Sequence, residues 1–172
     1  MLKIIRKSLM ALLAIAVLFP GAALADAQAA GGAVLSSDEI HKLLPDRVYY
    51  KGQTATTQLR NSGGVKFADG TYVMATLVDT SGYSTDVANK YQAYFVVETA
   101  IQIGGEKLGA GVYGLGFLGD KLVITDIGGH DLLSVPAGLD EGIKRPMPLQ
   151  VVSDPGGGFR LYAQRHFVHF SR

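Results

Sequence analysis

The sequence predicts a mainly β fold, either a small antiparallel β-barrel or a β-sandwich. One short N-terminal helix is expected in front of the strands, and a cleaved signal helix before that. Short runs rich in β-branched and aromatic residues follow one another from residue 47 to residue 170, separated by turns rich in glycine. Few stretches with helical periodicity lie between these runs, which disfavours a parallel α/β arrangement.

The first 25 residues are predicted to be a secretory signal peptide. Three basic residues precede an apolar stretch over residues 8–19, and the ending Ala23-Leu24-Ala25 precedes the expected cleavage site before Asp26. The apolar stretch is shorter than the roughly 20 residues of a membrane-spanning helix. No cysteine follows that a lipid could modify. We therefore expect an exported bacterial protein, periplasmic or secreted, without a stable membrane anchor after cleavage.

Removal of the 25 signal residues leaves 147 of the 172 residues, which suits one domain. Residues 26–34 are expected to form a flexible leader, and residues 35–172 a single β-rich domain. Three of the 16 basic residues lie in the signal, which leaves 13 against 15 acidic residues, a net charge of −2. This balance gives no electrostatic reason to expect nucleic acid as a partner. No cofactor is expected, and the oligomeric state stays open.

Caps, turns and branched residues predict the first elements. Ser36 and Glu39 form a capping box that begins a short helix, which Pro45 ends. The threonine-rich residues 53–59 favour a strand, and the sequence Asn61-Ser62-Gly63-Gly64 is predicted to be a turn. Asp69-Gly70 between two apolar runs is typical of a hairpin.

The second half of the chain continues this pattern. Ser84 is expected to cap a brief helical turn that ends near Tyr91, and residues 93–103 predict one long apolar strand or a bulged pair. Segment 136–148 shows little periodicity. The remaining predicted strands cover residues 111–118, 121–127, 132–135, 149–152, 159–163 and 167–170.

An unusual glycine pattern occupies residues 109–116. Gly114 and Gly116 alternate with large side chains such as Tyr113, so one face of the predicted strand is bare. Such a face is found where another part of the chain, or a ligand, comes close. Close internal packing is one explanation, and a ligand surface at Tyr113, Gly114 and Gly116 is the other. The Gly-x-Gly-x-x-Gly spacing from Gly109 does not indicate a nucleotide site, because strand formers rather than a helix follow it.

Four residues with catalytic or metal-binding chemistry lie around one glycine turn. Asp126, His130 and Asp131 are candidate ligands of a divalent metal. His130, Asp131 and Ser134 include the residue types of acyl-transfer catalysis. The alternative is that both aspartates accept hydrogen bonds from turn amides while His130 is solvated.

Glu98 is a further catalytic candidate, because it lies in an apolar run where burial would raise the pKa of its carboxyl; the alternative is that it points outward. Lys144 and Arg145 lie beside two prolines and suggest an exposed, semi-rigid loop that binds a ligand or partner. His166 and His169 are three apart on a predicted strand. This spacing places them on opposite faces and keeps them from sharing a metal.

The features above favour an exported, non-catalytic domain that binds a small apolar ligand or a protein of the cell envelope. An envelope hydrolase that uses His130 with Asp126 or Asp131 is one alternative. A small outer-membrane β-barrel is another, although most predicted strands are shorter than the roughly 9–11 residues that a membrane strand needs.

Overall fold

The computed structural model describes residues 31–172, which form two antiparallel sheets and two short helices. The predicted signal peptide and residues 26–30 lie outside the described residues. The helices are α1 (Ser37–Leu43) and α2 (Thr85–Lys90). The strands are β1 (Gly32–Val34), β2 (Arg47–Tyr50), β3 (Gln53–Phe67), β4 (Tyr72–Val78), β5 (Ala93–Val97), β6 (Ile101–Ile103), β7 (Glu106–Leu108), β8 (Gly111–Leu118), β9 (Lys121–Thr125), β10 (Asp131–Pro136), β11 (Gly138–Leu139), β12 (Gln150–Ser153), β13 (Phe159–Ala163) and β14 (His166–Ser171).

The larger sheet has eight strands in the order β1-β3-β4-β5-β8-β9-β10, with β2 also paired to β3. The smaller sheet has six, in the order β12-β13-β14-β6-β7, with β11 also paired to β14. The predicted mainly β, antiparallel class is confirmed. The barrel alternative is wrong, because within residues 31–172 no pairing joins β10 back to β1 and both sheets stay open.

One hydrophobic core is shared by the two sheets. Phe95 and Leu115 contribute to it from the larger sheet, and Phe159 and Phe170 from the smaller one; all four are at most 1 % exposed. Each sheet presents its apolar side chains to the other because successive residues of a strand point to opposite faces. Each sheet buries only one of its faces against the other sheet. This packing explains why apolar and polar residues alternate along the strands.

Helix α1 begins as predicted. The Ser36 hydroxyl accepts from the Glu39 amide at 3.4 Å, and the Glu39 carboxylate accepts from the Ser36 amide at 2.9 Å. This capping box is confirmed. Ile40 is the buried residue of the helix and packs with Leu44 and Met74, so α1 covers part of the outer face of the larger sheet.

Strand β3 is longer than expected. The predicted turn at residues 61–64 is wrong, since these residues lie inside the 15-residue strand. The register with β4 shifts between Gln58 and Ser62, and regular pairing resumes from Ser62 to Lys66. The polar and glycine residues form an irregularity rather than a reversal, because β4 pairs with β3 on both sides of it.

The predicted apolar run at residues 93–103 crosses between the sheets. Strand β5 lies in the larger sheet and β6 in the smaller one, and residues 98–100 link them. Both strands contribute apolar residues to the same core. The sequence pattern of residues 93–103 therefore resembles that of one strand. Near the start of the described residues, β1 pairs with residues 65–67 of β3, so the last three residues of the expected flexible leader lie in a sheet.

The bare face of β8 is filled by other parts of the chain. A Cβ atom at Gly114 would lie 2.6 Å from Thr125 Oγ1 and 2.7 Å from Tyr50 Cε2, and one at Gly116 would lie 2.5 Å from the Asn89 carbonyl oxygen. Helix α2 and the tyrosine therefore pack directly on the strand. This packing occupies the space that a ligand at these two glycines would need.

We expect Gly116→Ala to destabilise the protein by about 1–3 kcal/mol, because the new methyl group meets the backbone of α2 rather than a movable side chain. Urea unfolding measures the difference. Gly109→Ala is the matched control, since no atom lies within 4 Å of a Cβ there, and it should change stability by less than about 0.5 kcal/mol. Equal effects of both substitutions would contradict the packing argument.

Candidate functional site

A cleft of about 380 Å³ lies where residues of the larger sheet meet the hairpin formed by β13 and β14. We call it the His166 cleft. Its lining is mixed, with apolar side chains beside amide, hydroxyl and imidazole groups. The lining residues are Leu77, Val78, Thr80, Gln92, Phe117, Pro148, Ala163, Gln164 and His166.

Gln92 fixes one wall of the His166 cleft. Its side-chain amide accepts from the Phe117 amide at 3.1 Å and donates to the Phe117 carbonyl oxygen at 3.0 Å. A third hydrogen bond runs from the same amide to the Asn89 carbonyl oxygen at the end of α2. The Gln92 side chain thus satisfies the backbone amide and carbonyl groups of Phe117, which β5 does not reach. It holds Phe117 in place beside the cleft.

His166 lines this cleft and has one ring nitrogen that is buried and unpaired among the described residues. It begins β14, opposite Ala163, and its ring lies 6.3 Å from the Phe117 ring. The Nδ1 atom is buried and has no hydrogen-bond partner in the part of the chain that the structure describes. A buried polar atom without a partner costs roughly 1–3 kcal/mol. The surrounding residues enclose this nitrogen, so its unpaired state is a cost to the fold and not a contact open to a bound molecule.

The loop over residues 140–148 is attached to the same hairpin. The Gln164 amide donates to the Met147 carbonyl oxygen at 3.0 Å, and the Arg165 guanidinium donates to the Ile143 carbonyl oxygen at 2.9 Å. These bonds hold the loop at the rim of the cleft, where Pro148 joins the lining. The loop carries two exposed basic residues, Lys144 and Arg145.

The structure brings Asp126 and His130 together in the turn after β9. One Asp126 oxygen accepts from the His130 amide at 2.9 Å, and the other lies 2.9 Å from His130 Nδ1. The backbone hydrogen bond from His130, followed by the bond from its side chain, lowers the pKa of Asp126. The His130 side chain is 80 % exposed. This geometry agrees with an aspartate that stabilises its own turn beside a solvated histidine.

Asp131 and Ser134 do not join this pair. Both Asp131 oxygens contact Lys90 Nζ, at 2.8 and 2.6 Å, and Ser134 is exposed on β10 opposite Val123. Among the described residues, the Ser134 hydroxyl makes no hydrogen bond with His130, and no cluster of three metal-ligating side chains occurs. The predicted metal and nucleophile sets are therefore not assembled between residues 31 and 172.

The other candidates have separate places. Glu98 is exposed and accepts from the Tyr72 amide at 2.9 Å, which agrees with the alternative that its carboxylate points outward. Tyr113 donates to the Gly109 carbonyl oxygen and covers its own strand. His169 lies against the Gly157 carbonyl oxygen at 2.7 Å, on the face of β14 opposite to His166.

The sequence did not point to the His166 cleft. Its walls come from positions about 90 residues apart, between Leu77 and His166, and they meet only through the pairing of distant strands. In the sequence, the spacing of His166 and His169 bears only on metal binding. Comparison with known proteins finds no matching family model, no similar curated protein and no matching solved structure. Within residues 31–172, neither helix has the length and apolar character to cross a membrane.

We expect the carboxyl of Asp126 to titrate below the ordinary aspartate pKa of about 3.9. In His130→Ala, this pKa should rise only part of the way back, because the amide at position 130 still donates to the carboxylate. Carbon-detected NMR titration measures both values. His169→Ala is the control and should leave Asp126 unchanged. Complete recovery of the ordinary pKa in His130→Ala would show that the imidazole, not the turn amide, is the main cause.

Proposed function

We propose that this protein is an exported binding domain of the bacterial cell envelope and that it holds a small ligand in the His166 cleft. The observation that carries the proposal is the His166 cleft itself, which apolar side chains line together with amide, hydroxyl and imidazole groups. Its volume of about 380 Å³ falls in the range of roughly 300–1,000 Å³ typical of small-molecule sites.

The composition of the cleft supports binding. Leu77 and Phe117 pack against the shared core and present apolar surface, which stabilises a ligand by removing it from water. Thr80, Gln164 and His166 add polar side chains to the lining, and such groups orient a ligand by hydrogen bonds. Sites for small molecules combine apolar side chains with polar groups that fix the orientation of the ligand, and both kinds line this cleft.

Binding is favoured over hydrolysis by the arrangement of the alternative site. The Asp126–His130 pair orients an imidazole, as a general base requires. However, in the described part of the chain no hydroxyl hydrogen-bonds to this imidazole, and His130 is largely solvated rather than placed in a cleft. The His166 cleft is the better supported site.

The proposed export rests on the sequence of residues 1–25. We expect osmotic shock to release the protein without detergent, with Asp26 as its first residue. Mass spectrometry of the released chain measures the terminus. Ala25→Tyr should block the processing, because the cleavage site needs small residues, whereas Ala29→Tyr should be processed normally. Release only by detergent, or an intact Met1 in the released protein, would contradict export and cleavage.

The proposed ligand site can be tested with small ring compounds, using benzamide, phenol and indole as probes of the ¹⁵N-labelled mature chain. We expect their NMR shift changes to concentrate at Leu77, Gln92, Phe117 and His166. Ala163→Phe places a ring in the lining and should weaken the binding by roughly tenfold, equivalent to about 1.4 kcal/mol.

Ala110→Phe is the matched control for this experiment, because Ala110 is exposed in the turn before β8 and lies away from the cleft lining. It should bind the probes like the unmodified protein. Circular dichroism confirms that both variants are folded. If the shift changes occur elsewhere, or if both variants behave alike, the His166 cleft is not the binding site.

A further inference from the structure

We propose that the loop over residues 140–148 binds reversibly to the surface of an anionic lipid bilayer. The contact is made by Lys144, Arg145, Pro146 and Met147, which we call the basic apex. The inference rests on the proposed export, because the envelope supplies membrane surfaces, but it does not involve a ligand of the His166 cleft.

The turn between β13 and β14 anchors the loop on both sides of the basic apex. Before the apex, the Ile143 carbonyl oxygen accepts from the Arg165 guanidinium at 2.9 Å. At its end, the Met147 carbonyl oxygen accepts from the Gln164 amide at 3.0 Å. Residues 144–147 are all exposed. The fold therefore holds the base of the loop against the hairpin and presents its middle to solvent.

Two prolines restrict the shape of this segment. Pro146 and Pro148 have φ fixed by their rings, and each disfavours the helical conformation of the residue before it. These preceding residues are Arg145 and Met147. A segment that is already restricted loses less conformational freedom when it binds a surface, which favours binding.

Lys144 and Arg145 carry charges that the protein does not neutralise. Neither side chain forms an ion pair within residues 31–172. The Asp140 carboxylate is directed to the sheet, where it accepts from the Tyr162 hydroxyl at 3.1 Å. Glu141 is the acidic residue left in the exposed part of the loop, and the two basic residues outweigh it. The basic apex therefore favours a negatively charged partner.

Met147 adds apolar surface beside these charges, since it is 49 % exposed. A bilayer with anionic headgroups accommodates both features, because it has negative charge at its surface and hydrocarbon below. A folded protein partner would need about 20–30 residues on each side of an interface, far more than the basic apex supplies. A lipid surface is therefore the partner that fits.

The charge of the remaining chain limits the contact to this loop. After cleavage, the chain has 13 basic against 15 acidic residues, a net charge of −2. An anionic surface therefore attracts the apex and not the protein as a whole. The binding is weak and salt-sensitive, which agrees with the expected release of the protein without detergent.

Sedimentation with vesicles tests the proposal on the processed chain. One set of vesicles contains phosphatidylcholine alone, and the other contains equal parts of phosphatidylcholine and phosphatidylglycerol. We expect binding to the anionic vesicles and little binding to the neutral ones. Raising the salt concentration from about 0.01 M to about 0.15 M should weaken the binding by roughly tenfold, because the Debye length falls from about 30 Å to about 8 Å.

Variants of the basic apex separate charge from apolar contact. Lys144→Gln with Arg145→Gln should weaken binding by roughly 25-fold, since each basic residue near an anionic surface contributes about fivefold, or about 1 kcal/mol. Met147→Ser should weaken it several-fold, whereas Met147→Leu keeps an apolar side chain and should bind like the unmodified protein. Circular dichroism establishes that all variants fold.

Lys66→Gln with Lys107→Gln is the matched control. It removes the same charge from exposed residues that form no ion pair in the described chain. Both residues lie toward the other end of the β13–β14 hairpin. Lys107 is opposite Gln102, which pairs with Ser171, and β1, which pairs with Lys66, lies against Phe159. This control should bind anionic vesicles like the unmodified protein.

Each outcome decides the proposal. Salt-sensitive binding to the anionic vesicles that is lost in the apex variant and kept in the control supports it. Equal loss in both variants, equal binding to neutral and anionic vesicles, or no binding overturns it. The small-ring probes contain no lipid and the processing test measures the N-terminus, so failure of the proposed function is detected separately from failure of the membrane contact.

Discussion

The contact between α2 and the glycine face of β8 is the constraint on which the candidate site depends. Because Gly116 has no side chain, the backbone at the end of α2 can approach the strand closely. The chain leaves α2 at a position where Gln92 reaches the amide and the carbonyl oxygen of Phe117. Phe117 is thereby fixed beside His166. A methyl group at Gly116 would therefore displace α2, and with it the Gln92 and Phe117 wall of the cleft.

The same strand also organises a second apolar cluster. Tyr50 stacks on Tyr91 with ring centroids 3.6 Å apart, and its hydroxyl lies 2.6 Å from Thr125 Oγ1. These rings fill the space above Gly114. Burial raises the pKa of both tyrosines, so their hydroxyls stay neutral across the physiological range. At β8, these rings and α2 thus cover the outer face of the larger sheet, and the inner face contributes to the shared core.

Local signals predicted most of the elements but little of the site. The capping box at Ser36 and the hairpin at Asp69-Gly70 depend on neighbouring residues, and both are present in the structure. The sequence at 61–64 predicts a turn because polar residues and glycine suit a turn as well as a bulge. Only the pairing of β3 with β4 distinguishes the two. Likewise, Asp131 is close in sequence to His130, but in the structure it forms an ion pair with Lys90 of α2 and does not join His130.

The sequence by itself determined the mainly β class, the first helix cap and the bare face of β8, because these follow from side-chain volume, branching and hydrogen bonds between near neighbours. Only the tertiary structure decided that the strands form two open sheets and that residues 93–103 contribute to both of them. It also decided that Leu77, Phe117 and His166 share one cleft. The physical reason is that strand pairing acts between distant residues, and the order of strands is not encoded in any single segment.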